Sequence, residues 1–334
     1  MKILVFEYIC GGGFADQALP SSLAIEGCLM LQALTDDLGC LENIQLLIPL
    51  DQRCQTINLP TNAEIVYVQS QTKILTILPE LIAQCDAVWP IAPETNGILT
   101  CITELVKRQN KLLLASPPDM VALCSNKLKT YQVLSAHNIP CVETQLLNQD
   151  YMEIVGRSVV KPIDSCGCQD SIIIEANQQL SQKISLLNNS EQYIIQPFME
   201  GQATSLSCLF KQGKAWLLCC NQQLVAIENQ AFNLKACLVN TSSQYESVYL
   251  EIIADIATAL PSLWGYIGID FIETTHRGPL LLEINPRLTS SYIGIRKATG
   301  INVAAQVLSL ISAEPSMPRS QNGTVTVKML TDPN

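Results

Sequence analysis

Short apolar runs alternate with helical patterns through the first third of the chain. KILVF (2–6), IQLLIPL (44–50), AEIVYV (63–68), AVWPIA (87–92) and KLLLAS (111–116) have the length and composition of strands buried on both faces. Between several of them, apolar positions recur with helical spacing over Ser21 to Leu38, Lys73 to Cys85 and Gly97 to Gln109. This alternation predicts a doubly wound parallel sheet, an architecture that binds ligands at the carboxyl ends of its strands. Pro117-Pro118 then interrupts the pattern and marks a boundary. A helix is predicted over 118–138, ending at Asn138-Ile139-Pro140. After it come a strand, SVVKP (158–162), a loop, DSCGCQD (164–170), a second strand, SIIIEA (171–176), a helix over 177–187 and a third strand, YIIQPF (193–198). Together they form a small α+β unit. The last part is rich in strands: ATSLSCLF (203–210) and KAWLLCC (214–220) make a hairpin through Gln212-Gly213. A helix over 243–260 leads to YIGIDFIET (266–274) and GPLLLEINPR (278–287), joined at His276-Arg277-Gly278. The pattern divides the chain into residues 1–116, 117–198 and 199–334.

At 334 residues, 48% hydrophobic and 15% charged, the chain can bury a sizeable core and lacks the composition of a disordered segment. Twenty Lys and Arg against thirty Asp and Glu give a net charge of -10, without a basic cluster. That balance argues against a nucleic-acid partner, so an anionic ligand must be met by individually placed cations, metal ions or backbone N–H groups. Mean hydropathy is +0.23, yet no stretch approaches the roughly 18 apolar residues of a membrane span. The first apolar run, ended by Glu7, is too short for a secretory signal and reads as a buried strand, so a cytoplasmic protein is expected. Fourteen scattered cysteines without a C-x-x-C pair read as small buried hydrophobes in a reducing compartment.

The chemistry concentrates at 264–289. Asp270 interrupts an apolar strand, and Glu283 and Asn285 end the next one. Charged groups in buried strands are costly unless paired or bound to a metal. Strand alternation puts Glu283 and Asn285 on one face, with Asp270 able to meet them across the hairpin. Two carboxylates and an amide oxygen are hard ligands suited to Mg²⁺. The plainer reading is a buried acid paired with Arg287. Upstream, Lys127 stands in SNKLKTYQVL, and Lys161 directly follows an apolar strand in VVKP, whereas Lys129 reads as an ordinary surface charge.

The motif D-F-x(n)-L-E-I-N-P-R, the two upstream lysines and the segment IIQPFMEG (194–201) occur in an order that resembles the ATP-grasp superfamily over residues 118–290. The resemblance implies an ATP-grasp fold, α/β and α+β, with an N-terminal doubly wound pre-ATP-grasp domain. It also implies ATP and Mg²⁺ or Mn²⁺ as cofactors, with Asp270, Glu283 and Asn285 as metal ligands. Lys127 and Lys161 would meet the nucleotide phosphates, Ser165 and Gly167 would cradle them, and Gln196, Pro197, Phe198 and Met199 would form the hinge that receives adenine. Arg287 would meet the transferring phosphate, with Lys161 as the other catalytic cation. The sequence departs from the family in a phosphate loop with a single glycine, Gly167, and in Gln202-Ala203 where a ribose-binding Glu often stands.

FEYICGGGF (6–14), LPSSLAIEGCLMLQAL, IAPETNGILTCITEL and INPRLTSSYIG are further similar to the tyramine–L-glutamate ligase family of methanofuran biosynthesis. The resemblance implies amino-acid and amine substrates. Glu7 and Glu94, after strand ends, would attract a cationic amine; the aromatic ring would rest on Tyr292, Tyr8 or Phe14; and Arg296 or Lys297 would receive a carboxylate of glutamate. Glu7 as a helix cap and a solvated Arg296-Lys297 pair are the alternatives. Another amino-acid or dipeptide ligase, and a nucleotide-binding regulatory protein, stay open beside this reading, as does homo-oligomerisation. The glycines of ICGGG lack the GxGxxG spacing of dinucleotide binders.

Overall fold

The computed structural model describes residues 1–54, 57–147, 156–165, 170–175 and 192–329. The expected helix over 177–187 and the loop residue Gly167 lie outside the described residues.

Strands β1 (Lys2–Glu7), β2 (Gln45–Asp51), β3 (Ala63–Val68), β4 (Ala87–Ile91) and β5 (Leu112–Leu113) form a parallel sheet in the order β3-β2-β1-β4-β5. The apolar run of β1 is continuous because both of its faces are covered. Ile3 and Val5 meet helix α1 (Ser21–Gly39), while Leu4 and Phe6 meet α2 (Ile74–Ala83) and α3 (Ile98–Arg108). The doubly wound sheet is therefore as expected, although its fifth strand is shorter than 111–116.

The helix expected over 118–138 is two helices, α4 (Pro118–Ser125) and α5 (Lys127–Ala136). Asn126 adopts an extended conformation between them, and its side chain accepts a hydrogen bond from the Lys129 N–H. An Asn that satisfies a free N–H at a helix start competes with continuous helix. The break places Lys127 in the first turn of α5.

Strands β6 (Gln145–Leu146), β7 (Ser158–Pro162), β8 (Ile172–Ile174) and β9 (Tyr193–Pro197) make a small antiparallel sheet in the order β6-β9-β7-β8. The third sheet joins β10 (Gln202–Lys211), β11 (Lys214–Glu228), β12 (Ala231–Val239), β13 (Gly265–Thr274), β14 (Gly278–Asn285) and β15 (Val325–Lys328) in the order β14-β13-β10-β11-β12-β15. One face packs Leu206, Cys208, Phe210, Ile267, Ile269 and Phe271 on helix α6 (Glu246–Ala259). The alternate positions Ser205, Ser207, Asn221, Gly268 and Asp270 form a polar floor on the other. Beyond the expected elements, the structure adds β6, the outer half of β11, all of β12, β15 and helices α7 (Tyr292–Thr299) and α8 (Val303–Ser309).

Candidate active site

A bulge in the β13–β14 hairpin aligns the acidic pair. Phe271 pairs with Leu281, and continuing that register would set Leu282 opposite Asp270. The register shifts between Asp270 and Phe271 instead, so Leu282 is the extra residue and Asp270 faces Glu283. Leu281 and Ile284, three residues apart, consequently both enter the core. Gly268 pairs with Asn285, which places Asp270, Glu283 and Asn285 on one face. The Asn285 amide donates to Asp270 Oδ2 at 2.9 Å, and Gln223 of β11 donates to Asp270 Oδ1 at 2.9 Å.

Two lysines from other elements close on this pair. Lys127 Nζ lies 3.3 Å from Glu283 Oε2 and donates to the Ser165 carbonyl; Lys127, Lys161 and Ser165 are all buried. Burial works to raise the proton affinity of Glu283, but the charges of Lys127 and Lys161 outweigh it and hold the carboxyl below its ordinary value. Burial, and then the neighbouring Glu283, pushes Asp270 up to about 7. Lys129, two residues from Lys127, is exposed.

At the expected hinge, Gln196 is buried and donates through Nε2 to Thr144 Oγ1 at 2.8 Å. Pro197 is exposed, while Phe198 and Met199 are half-buried. The Phe198 N–H donates to the Arg157 carbonyl at 2.8 Å. Its ring lies parallel to Phe232 with centroids 6.2 Å apart, and the Arg157 guanidinium sits 4.1 Å above it.

Arg287 Nε donates to Glu94 Oε2 at 2.9 Å, joining the end of β14 to the turn after β4. Glu94 borders a cleft of about 380 Å³ with Glu104, Asp164, Thr100 and Asn126. The backbone N–H of Asn96 donates to Asp164 there at 3.0 Å.

Three residues expected to line a substrate cleft have other partners. Glu7 is buried and accepts bonds at one oxygen from the Cys10 N–H (2.7 Å), in the first turn of the helical segment Ile9–Gly13, and from the Cys10 thiol (2.8 Å), so it holds the start of that turn, as the capping alternative expected, and does not face an open cleft. Tyr292 is buried, donates to Asp37 Oδ2 at 2.8 Å and packs edge-on to Tyr266. Arg296 Nη1 pairs with Asp37 Oδ1 at 3.1 Å, so it is committed to α1. Glu7 and Tyr292 are buried on partners within the protein, whereas Arg296 is exposed and pairs with Asp37 from the surface.

The ATP-grasp domain family matches residues 124–291, half of the chain, and the pre-ATP-grasp domain family matches residues 44–121. The chain belongs to the ATP-grasp family. It is 26% identical over 214 residues to a tetrahydromethanopterin:alpha-L-glutamate ligase of Methanocaldococcus jannaschii, a span covering 59% of this chain and 69% of that one. An ATP-grasp superfamily protein of Archaeoglobus fulgidus superposes with a TM-score of 0.74 at 20% identity, covering 98% of this chain and 92% of that one. The biotin carboxylase domain of the Hydrogenobacter thermophilus 2-oxoglutarate carboxylase, in complex with MgADP, ADP and bicarbonate, superposes with a TM-score of 0.72 at 14% identity. That match covers 97% of this chain and 73% of the carboxylase domain chain.

The donor set of this ATP-grasp chain fits a hard cation. Among the described residues no group of three or more His, Cys, Asp or Glu side chains gathers as a metal site, but Mg²⁺ commonly takes one or two carboxylates and completes its shell with phosphates and water. Asp270 and Glu283 supply two carboxylates, and Asn285, whose amide nitrogen is turned to Asp270, keeps its oxygen for another contact. Sequence reasoning missed Gln223. The polar triplet Asn221-Gln222-Gln223 interrupting an apolar strand was the available signal, since alternate members of such a triplet share the polar floor.

Proposed function

We propose that this ATP-grasp ligase joins L-glutamate to tyramine through an acyl phosphate, releasing ADP and phosphate. The observation that carries the reading is the convergence of Lys127 and Lys161 on Glu283, with Asp270 and Asn285 beside it. A carboxylate is a poor electrophile, and phosphorylation gives it a leaving group that an amine can displace. Phosphoryl transfer of this kind depends mainly on positioning and charge neutralisation. In this reading Lys127 and Lys161 hold phosphate oxygens, with the Ser165 carbonyl accepting from the Lys127 ammonium. Asp270, Glu283 and Asn285 would hold Mg²⁺ or Mn²⁺, which when bound neutralises phosphate charge. Gln223 keeps the Asp270 carboxylate in register. Backbone groups at Gln196 to Met199 receive the adenine. Arg287 stabilises the phosphoryl group in transfer, and Glu94 holds its guanidinium by the paired hydrogen bond. Residues 1–116 select substrates, 117–198 cover the nucleotide and 199–334 carry the metal ligands.

Glutamate is supported by the substrate in the Methanocaldococcus relative's name. The amine is supported by the cleft beside Arg287, where Glu94, Glu104 and Asp164 suit an ammonium group. We place the enzyme in the cytoplasm. Among the described residues no helix is long and apolar enough to cross a membrane, and the described cysteines are free. The relative favours a second reading, in which glutamate is the amine and another molecule supplies the activated carboxylate. An ADP-release assay with glutamate and a panel of tyramine, other arylalkylamines, ammonia and amino acids separates the two. ADP release that requires both glutamate and tyramine is expected. Ligation of amino-acid amines with none of tyramine sinks the pairing and leaves the ligase class intact.

A further inference from the structure

Among the described residues, the carboxyl ends of β1 and β2 gather three thiols and a carboxyl group that ligase chemistry does not employ. Cys10 lies in the turn Ile9–Gly13 after β1, Cys28 in α1, and Cys54 in the turn Gln52–Cys54 after β2. The Cys28 side chain follows Gly27 in α1 and is close enough to those of Cys10 and Cys54 to interact with both. The Cys10 thiol also donates to Glu7 Oε2, 2.8 Å away, so a contact chain runs from Cys54 through Cys28 and Cys10 to Glu7. Gly27 makes this approach possible: a Cβ there would stand 2.7 Å from the same Glu7 oxygen. Helix α1 is thereby seated on Glu7, with Cys28 beside the turn. Cys10 and Cys54 are buried, whereas Cys28 is half-buried and is the least enclosed of the three.

We propose that Cys28 and Cys10 form a thiol–disulfide exchange site for low-molecular-weight disulfides of the oxidised glutathione type, with Glu7 accepting the Cys10 proton. The Cys28 thiolate attacks one sulfur of the incoming disulfide RSSR, forming Cys28–S–SR and releasing RS⁻. Cys10 then passes its thiol proton to Glu7 Oε2. The resulting thiolate attacks the Cys28 sulfur, breaks the bond to SR and expels a second RS⁻. Two protein thiols are oxidised to one disulfide while one RSSR is reduced to two thiolates. The Cys28 proton is lost to solvent, and the Cys10 proton resides on Glu7.

The surroundings favour each partner in its role. The polar side chains of Cys10 and Cys54 beside it lower the Cys28 thiol to about 4, against the opposing effect of burial, and the thiolate is the attacking form. Burial raises Glu7 to about 7, which makes it a competent proton acceptor near neutrality. Burial, then the neighbouring Cys28 side chain and the charge of Glu7, keep Cys10 protonated beforehand. Conversion of Cys28 to a mixed disulfide removes its negative charge and so eases ionisation of Cys10 at the step that needs it. Oxidation also ties the Ile9–Gly13 turn covalently to α1 and abolishes the Cys10 thiol bond to Glu7.

The test treats the whole protein with oxidised glutathione near neutral pH, alkylates the remaining thiols and cleaves after glutamate without reduction. Cleavage at Glu7, Glu26, Glu42 and Glu64 leaves Cys10, Cys28 and Cys54 on separate peptides. The expected mass spectrum contains a Cys10–Cys28 linked pair. That pair is lost in Cys28→Ser and kept in Cys40→Ser, which shares the Cys28 peptide. Glu7→Gln is expected to stall at the glutathione adduct of Cys28. Glutathione on exposed Cys40 and Cys101 alone, with Cys10 and Cys28 both alkylated, overturns the site. A Cys28–Cys54 link overturns Cys10 as the second thiol, and unchanged link formation in Glu7→Gln overturns the proton acceptor.

Discussion

Asp270 and Glu283 stand side by side on one hairpin yet hold their protons with unequal strength, because Lys127 pairs with Glu283 and the charge of Lys161 reaches it, while amides attend Asp270. Replacing Glu283 by Gln is expected to retain the fold and abolish most turnover, measured as ADP release at saturating Mg²⁺. Gln223→Leu removes only the amide that orients Asp270. Loss of such a supporting contact typically costs about 10–100-fold in metal affinity or activity. Mn²⁺ titration of the Gln223→Leu variant should show that weakening with an unchanged thermal midpoint; wild-type affinity would mean that Gln223 does not orient the ligand. Glu7 makes a different prediction, about pH. Its carboxyl is raised from 4.5 to about 7 by burial. The native state therefore binds the proton more tightly than the unfolded chain, so this contribution is full below pH 4.5 and is lost as pH rises through 7. Glu7→Gln should remove that decline, gaining up to about 3 kcal/mol over the native protein above neutrality. Denaturant titrations on both sides of the window check it, and parallel curves for the two proteins would contradict it.

Among the elements, the antiparallel sheet depends on where its strands are irregular. The extra residue Leu282 turns Glu283 onto the face of Asp270, and a further register shift leaves Leu218 of β11 as the extra residue opposite Ser207 and Cys208 of β10. Tyr266, Ser207, Thr289 and Ser291 join their hydroxyls above this floor, anchoring the segment that follows Arg287. Gly201, between the hinge and β10, has main chain rather than a yielding side chain in its way: a Cβ would collide with the Glu273 carbonyl oxygen. Gly201→Ala must push β10 from β13, and overpacking of this sort costs about 1–3 kcal/mol. A lowered thermal midpoint with a raised KM for ATP is expected, because β10 leads directly from the hinge. An unchanged midpoint would show that the strand pair accommodates the methyl group.

For the whole molecule, one apolar core crosses from the parallel sheet to the last third of the chain. Ile3, Val5, Leu31 and Leu34 pack in the same cluster as Leu209, Leu218, Tyr292, Ile295 and Val307. Ser116 reinforces the junction, donating to the Trp264 carbonyl at 2.9 Å and accepting from the Trp264 N–H at 3.1 Å. The N-terminal sheet and the six-stranded sheet should consequently unfold in one transition, and residues 1–116 alone should lack a cooperative one. Denaturant titration by circular dichroism of both chains tests this. A cooperative transition in the fragment would show that its share of the core suffices. The same packing keeps Glu94 beside Arg287, so the proposed substrate and phosphate groups are held together by the body of the protein.

Local patterns were enough for elements whose burial is decided nearby. Ile3 to Phe6 must be covered on two sides wherever it lies, and an acid inside an apolar strand, Asp270, must find partners. Lys127 could be told from Lys129 by its place in the ATP-grasp motif, but the reason for their different environments is the break at Asn126, which depends on a side chain winning over a helical turn. The one-residue shift at Leu282 and the amide of Gln223 were not legible, since register is set by neighbouring strands acting together. Tyr292 and Arg296 looked available because their partner, Asp37, lies more than 250 positions away along the chain. Residue order determined which groups are candidates for the chemistry; folding decided which already have partners, because a hydrogen bond depends on distance in space, whatever the separation in sequence.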